Sequence, residues 1–239
     1  MNVVHLMHKF KYIYETKFGK QETRDVIINY VSLRNVEPWE EYLALEKGFA
    51  LDIKNGKEEW YMSRNTRIWL KQTDYKQIPL KWEIVDTPPK VIFEKILKKY
   101  IHHNNFKNIW TIKEDHERYK YILYYENDKI IAITKLLHYK PQFNIVGPIL
   151  ETNFFIWNYH NPELNLGLIT LEHEIALAKS LGLDYLYTGP GYEQSSIYKS
   201  TFKGFQWFTG MEWSTNVEKY KLLCQRDSKI RSFKAFSEI

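Results

Sequence analysis

The chain has 239 residues, 44% hydrophobic and 26% charged, enough apolar content for one large domain or two small ones. Its net charge of +5 permits a polyanionic partner such as RNA without demanding one. No run approaches the roughly 18 apolar residues of a membrane span, the start MNVVHLMHKF lacks a signal-peptide pattern, and Cys224 stands alone, which excludes an intrachain disulfide and a cysteine-cluster zinc site.

Residues 1–90 read as mixed strands with one helix, Trp39–Lys47, stopped by Gly48. Glu58–Leu70 reads as a strand carrying Arg64 and Arg67. Thr87-Pro88-Pro89 is the best internal boundary, giving a flanking subdomain over 1–88 and a second domain over 89–239. A helix follows, with Val91, Phe93, Ile96, Leu97, Tyr100 and Ile101 as its apolar stripe and Lys95, Lys98, Lys99, His102 and Lys107 along it as cations. Two β-rich runs within 118–139 flank Glu126-Asn127-Asp128, a hairpin signature. Strands FNIVGPIL and TNFFIWNYH come next, the latter ended by Asn161-Pro162. Leu166–Leu181 reads as a helix with Leu168, Leu171, Ile175 and Ala178 on one face, terminated by Gly182. A short buried strand LDYLY, a Gly-Pro-Gly turn, a helix near Ser195–Phe202 and closing strands around FQWFTG and MEWSTN complete the chain. The tail 218–234 carries Lys219, Lys221, Arg226, Lys229, Arg231 and Lys234 against Glu218 and Asp227. If the two basic stretches bind tRNA, affinity falls steeply with salt; a solvated surface is the plainer reading of both.

The expected fold class is α/β (α+β): antiparallel strands and then β-α-β-α-β, a mixed, mostly antiparallel sheet flanked by helices. This order resembles the GNAT acyltransferase fold. There a central strand pair splays apart to admit an activated acyl donor, and the next helix aims backbone N–H groups at donor phosphates.

The turn before the long helix is Asn161-Pro162-Glu163-Leu164-Asn165-Leu166-Gly167. Coenzyme A-dependent members of that fold usually have a basic or Gln residue leading two glycines here. One glycine and no cation make a poor pyrophosphate cradle, which disfavours coenzyme A. The alternative reading is structural: Asn165 caps the helix and Gly167 lets it pack closely.

The motifs Leu166-Gly167, Glu174-Ile175 with Ala178, Leu181-Gly182-Leu183, Tyr185-Leu186-Tyr187 with Gly189, and Tyr198-Lys199 with Phe202 are spaced as in one family. The segment resembles the C-terminal domain of the arginyl- and leucyl-tRNA–protein transferases, the aminoacyl-tRNA-dependent branch of the fold. Leu97–His103 and the segment holding Gly48 and Ser63–Ile68 are weaker echoes. Three features depart from the family: its N-terminal cysteine cluster is missing, Gly189-Pro190-Gly191-Tyr192 replaces Gly-Tyr, and Ser195-Ser196-Ile197 replaces Cys-x-x-Met.

The implied chemistry is attack of an amine on an activated carbonyl. It needs an acceptor for the ammonium proton, an oxyanion donor and an acid for the leaving oxygen. Backbone N–H groups near Phe155–Trp157 would serve the oxyanion. Tyr198 would act as general acid or position the acceptor, and Lys199 would meet a terminal phosphate or neutralise developing charge. Tyr187 and Tyr192 could stack on a terminal adenine. The expected donor site is therefore Asn165, Leu166, Gly167, Trp157, Tyr187, Gly189 and Tyr192, with Tyr198 and Lys199 catalytic. Core packing of Tyr187, a half-buried Tyr198 ring and a solvated Lys199 stand beside these readings. Glu172, His173 and Glu174 read as a largely solvated helix face, and His102-His103 has no metal-ligand spacing.

The expectation is a cytoplasmic aminoacyl-tRNA-dependent transferase acting on an amine of a protein, peptide or small molecule, with no metal, no other cofactor and no membrane. The alternatives are a coenzyme A-dependent N-acetyltransferase using acetyl-CoA, and a non-catalytic module that binds RNA or protein.

Overall fold

The computed structural model of the chain describes residues 11–20, 25–34, 36–54, 56–105, 116–139 and 149–229. In chain order these form β1 (Lys11–Lys20), β2 (Asp25–Arg34), α1 (Glu41–Glu46), β3 (Phe49–Lys54), β4 (Lys57–Met62) and β5 (Asn65–Trp69). Then come β6 (Lys81–Val85), α2 (Lys90–Asn104), β7 (Tyr119–Glu126), β8 (Lys129–Tyr139), β9 (Ile149–Trp157) and α3 (Leu166–Ser180). β10 (Tyr185–Pro190), β11 (Phe205–Phe208), β12 (Trp213–Ser214) and α4 (Val217–Asp227) close the order. Short 3-10 turns lie at Pro38–Glu40, Leu70–Gln72 and Pro162–Leu164, and a longer one at Gln194–Thr201. No helix among the described residues is long and apolar enough to cross a membrane. The described residues divide into two compact units: 11–67 with 190–229, and 68–139 with 149–189.

The first unit holds an antiparallel sheet in the order β1-β2-β4-β3. Gly48 ends α1 at φ +77°, a left-handed turn that a glycine makes without steric cost. Glu58–Leu70, expected as one strand, is two. The ladder of β4 with β3 stops at Met62, and β5 begins only at Asn65. The β11–β12 hairpin lays Trp213 against Phe208, ring centroids 5.5 Å apart. Arg67 stacks over the Trp213 ring at 3.9 Å and pairs with Glu46 at 2.5 Å. The tail read for its cations contains α4, capped by the Asn216 side chain, which accepts from Lys219 N–H at 3.0 Å. Tyr220 and Cys224, one turn apart, are its buried face. Lys107, Arg231 and Lys234 of the two basic stretches fall outside the described residues, as does most of FNIVGPIL.

The second unit is built on strands in the order β10-β9-β8-β7-β6. β6 to β9 pair antiparallel, and β10 joins β9 in parallel. The β7–β8 turn is the expected one: Asn127 and Asp128 take φ of 48° and 56°, the left-handed pair of a two-residue hairpin turn, which these residue types tolerate. β7 and β8 are largely buried because helices pack on the sheet: α2 meets β8 and β9, and α3 meets β9. Phe93, Ile96 and Leu97 of α2 are buried as expected, whereas Val91 is 76% exposed. α3 ends as read, in a Schellman cap: Gly182 N–H donates to Lys179 O, and Leu183 N–H to Ala178 O at 3.2 Å. The architecture is the expected α/β class, a mixed, mostly antiparallel sheet flanked by helices.

Candidate functional site

β9 is a single strand, and it changes phase midway. Leu136 of β8 faces Thr152, whereas Lys135 faces Phe154, so Asn153 is an extra residue, a β-bulge. Alternation before the bulge would turn Phe155 and Trp157 to the face of Glu151. The extra residue turns them instead to the face of Thr152, where they join the cluster of Tyr124, Ala132, Leu136, Leu166 and Leu177. On its other edge β9 keeps register with β10 only at Leu150–Leu186 and Glu151–Tyr187 among the described residues. The parallel pair thus ends where the bulge begins, while β9 continues along β8 to Trp157.

The chain then turns directly into α3. Asn161 Oδ1 accepts from Glu163 N–H at 3.2 Å, capping the 3-10 turn. Asn165 is left-handed at φ 46°, and its carbonyl accepts from Leu168 and Ile169 N–H. Its side chain caps nothing, contrary to the capping role open to it from the sequence. Leu166 is fully buried. A side chain at Gly167 would meet only Phe155, at 3.9 Å, so packing does not require glycine there. Trp157, Leu166 and Gly167 therefore gather at one place, where the end of β9 meets the start of α3. Tyr187 is 2% exposed and packs edge-on against Tyr139 at 6.4 Å, a core position.

Two buried acids flank the bulge, Glu174 of α3 and Glu151 of β9, neither of them among the site residues expected from the sequence. Glu174 of α3 is inside the fold, not on a solvated face. Its Oε1 accepts from Thr134 Oγ1 at 2.6 Å and Tyr124 OH at 3.2 Å, and the Thr152 hydroxyl bonds it too. Burial pushes the Glu174 carboxyl up to about 7, against the pull of those hydroxyls. Beside it His173 is also buried; its Nδ1 accepts from Ile78 N–H at 3.3 Å, and burial lowers its pKa to about 4. Glu151, at the last parallel pair, accepts from Tyr139 OH at 2.6 Å and from Asn153 Nδ2 at 3.4 Å. The missed signal was the β9 sequence: Glu, Thr and Asn at 151–153 interrupt an otherwise apolar strand, where polar groups need partners.

In the first unit the Gly191-Tyr192 turn is clamped from several sides. Arg64 N–H donates to Tyr192 OH at 2.6 Å, the Arg64 guanidinium lies 5.0 Å from the Tyr192 ring, and its Nη1 pairs with Asp227 at 2.8 Å. Cys224 Sγ and Arg64 Nη1 both reach Gly191 O at 3.4 Å. A side chain at Gly191 would strike Tyr220 OH at 2.0 Å, so glycine is required for this close approach. Lys199 Nζ donates to Pro190 O at 3.0 Å, so it is no plain solvated amine. The segment around it is a 3-10 helix, tighter than the α-helix the sequence suggests. Tyr198 on that helix is 41% exposed and meets Phe202 edge-on. Burial of the Tyr192 hydroxyl raises its pKa. Arg64→Ala should cost about 2 kcal/mol in urea unfolding, because it takes one of two guanidinium partners, Arg64 and Arg226, from a largely buried Asp227 and releases the turn. Asp227→Ala in the same background should then add little.

Among the described residues no cluster of His, Cys, Asp and Glu is arranged to hold a metal ion.

No protein-family model and no curated protein matches the chain. Among solved structures it is similar to the Saccharomyces cerevisiae N-myristoyltransferase with bound myristoyl-CoA, at 12% identity and TM-score 0.38, over 60% of this chain and 46% of that one. It is also similar to the C-terminal domain (DUF2156) of a lysylphosphatidylglycerol synthetase from Agrobacterium fabrum described as putative, at 9% identity and TM-score 0.41, over 82% and 75%. The chain spans less than half the length of the first. The fold reading rests on the chain's own strand order, parallel pair and bulge.

Proposed function

We propose that the chain is an acyltransferase that takes an aminoacyl group from tRNA and places it on an amine of a protein, peptide or small molecule. The observation that carries this reading is the ending of the β9–β10 ladder at Glu151–Tyr187, next to the Asn153 bulge and followed directly by α3. Such a gap admits an extended acyl group. Its strand supplies backbone N–H groups for an oxyanion, and α3 sets a helix N-terminus beside it. The amine nitrogen bonds the carbonyl carbon, the ester C–O bond breaks, and the amine's proton ends on the departing ribose hydroxyl. Tyr198 is the proposed proton donor. Lys199 is proposed to act through the turn it holds at Pro190 O.

Three points favour tRNA over coenzyme A. The 161–167 turn has one glycine, the Asn161 side chain is committed to Glu163 N–H, and the 166–202 segment has the spacing of aminoacyl-tRNA transferases. A cytoplasmic setting, where charged tRNA is made, belongs to the same proposal. The test is incubation with a mixed charged-tRNA pool and a cell extract, read by mass spectrometry for added amino acids. The expected result is an amide-linked residue that appears only with charged tRNA. Tyr198→Phe should lower the rate about 100-fold, the scale of a lost general acid. Full activity in that variant would remove Tyr198 from the chemistry.

A further inference from the structure

The loop leaving β9 carries a ring stack that neither the strand gap nor the helix start requires. Tyr159 sits at φ 50°, a conformation costly for a bulky residue, and Asn104 Nδ2 hydrogen-bonds its hydroxyl at 2.9 Å. Trp157 leans on it at 4.1 Å. His103 of α2 lies flat against it, centroids 3.6 Å apart and planes 16° from parallel. Trp157 is buried and Tyr159 half-buried, whereas His103 is exposed, so the series of rings ends in an imidazole open to solvent. Tyr159 also packs on the cluster of Leu164 and Leu166 at the start of α3. Lys99, one helical turn before His103 on the same side of α2, is exposed as well.

We infer that the His103–Tyr159–Trp157 stack is a platform for an adenosine nucleotide, the base lying on His103 and a phosphate meeting Lys99. A planar ring held rigid by two further rings offers stacking area at small entropic loss, and purines stack best on such faces. The inference rests on the donor reading above and deepens it: the same nucleoside ends a tRNA and caps coenzyme A, so the platform takes adenosine from either source.

The probes are AMP, the trinucleotide CCA and adenosine 3′,5′-bisphosphate, titrated into the full chain by calorimetry. Adenosine-bearing probes are expected to bind. His103→Ala should weaken them about tenfold, within the range of one lost base stack. His103→Trp should restore the affinity, which a merely structural histidine would not allow. Tighter binding of CCA than of the bisphosphate marks an RNA end, and the reverse marks a coenzyme-type donor. Equal affinity in wild type and His103→Ala, or no binding of any adenosine probe to wild type, overturns the platform. Unchanged KM for intact charged tRNA in His103→Ala also overturns it and leaves the transferase reading standing. CCA binding through His103 without amino-acid transfer does the opposite.

Discussion

Glu174→Gln should expose a pH dependence of stability that the native protein hides. The Glu174 carboxyl titrates at about 7 in the fold, against 4.5 as its ordinary value. Between those values the folded state holds a proton that the unfolded state has lost, so this group's contribution falls as pH rises, by about 3 kcal/mol in all. His173 works the other way. Its pKa drops from 6.5 to about 4 on burial, so between those values the unfolded state holds the extra proton and stability rises with pH by a similar amount. Over the shared window the two slopes oppose each other. The glutamine variant keeps an oxygen to accept from Thr134 and Tyr124 but cannot titrate. Its stability should therefore climb by about 3 kcal/mol from pH 4 to 6.5 relative to a nearly flat wild-type contribution, measured by urea unfolding at several pH values. Parallel pH curves for the two proteins would show that Glu174 is ionised in the fold.

Gly48→Ala should be among the costliest single-methyl additions in the chain. The position is left-handed at φ +77°, worth about 1–2 kcal/mol against alanine. The added carbon would also lie 2.0 Å from Cδ1 of Phe208, which is 2% exposed and braced by Trp213. Such overpacking costs about 1–3 kcal/mol more, for a total near 4 kcal/mol. Gly182→Ala is the control: it has the same φ of +77° but nothing within 4 Å of the new carbon. It should lose about 1 kcal/mol, and the difference between the variants isolates the clash. Equal losses would mean that Phe208 moves aside freely.

Local chemistry made much of this fold legible. The Asn127-Asp128 turn, the Pro88-Pro89 entry to α2 and the Gly182 stop of α3 depend on backbone preferences, which a sequence states directly. Sequence and structure part where tertiary contacts decide. Glu58–Leu70 looks continuous in hydropathy, but Ser63 N–H donates to Gly48 O at 3.3 Å and the chain breaks there into two strands. His173 and Glu174 read as solvated because adjacent charged residues usually are; Thr134, Thr152 and Tyr124, distant in sequence, make burial of the acid tolerable. The Asn153 bulge is invisible in any window of β9, since only the register with β8 defines it. Of the candidate site, Trp157, Leu166 and Gly167 were legible and do meet. Tyr187 reads as a ring beside a glycine turn, and its core packing against Tyr139 is a contact no spacing rule reveals.

The claim that the donor is an aminoacyl ester and not a coenzyme A thioester is tested most directly by one calorimetric competition. The chain is titrated with acetyl-CoA, alone and in the presence of a non-hydrolysable amide analogue of aminoacyl-tRNA. The account predicts saturable binding of the tRNA analogue, falling steeply with salt, and only weak acetyl-CoA binding that the analogue displaces. Tight, saturable acetyl-CoA binding that the tRNA analogue fails to displace would contradict it.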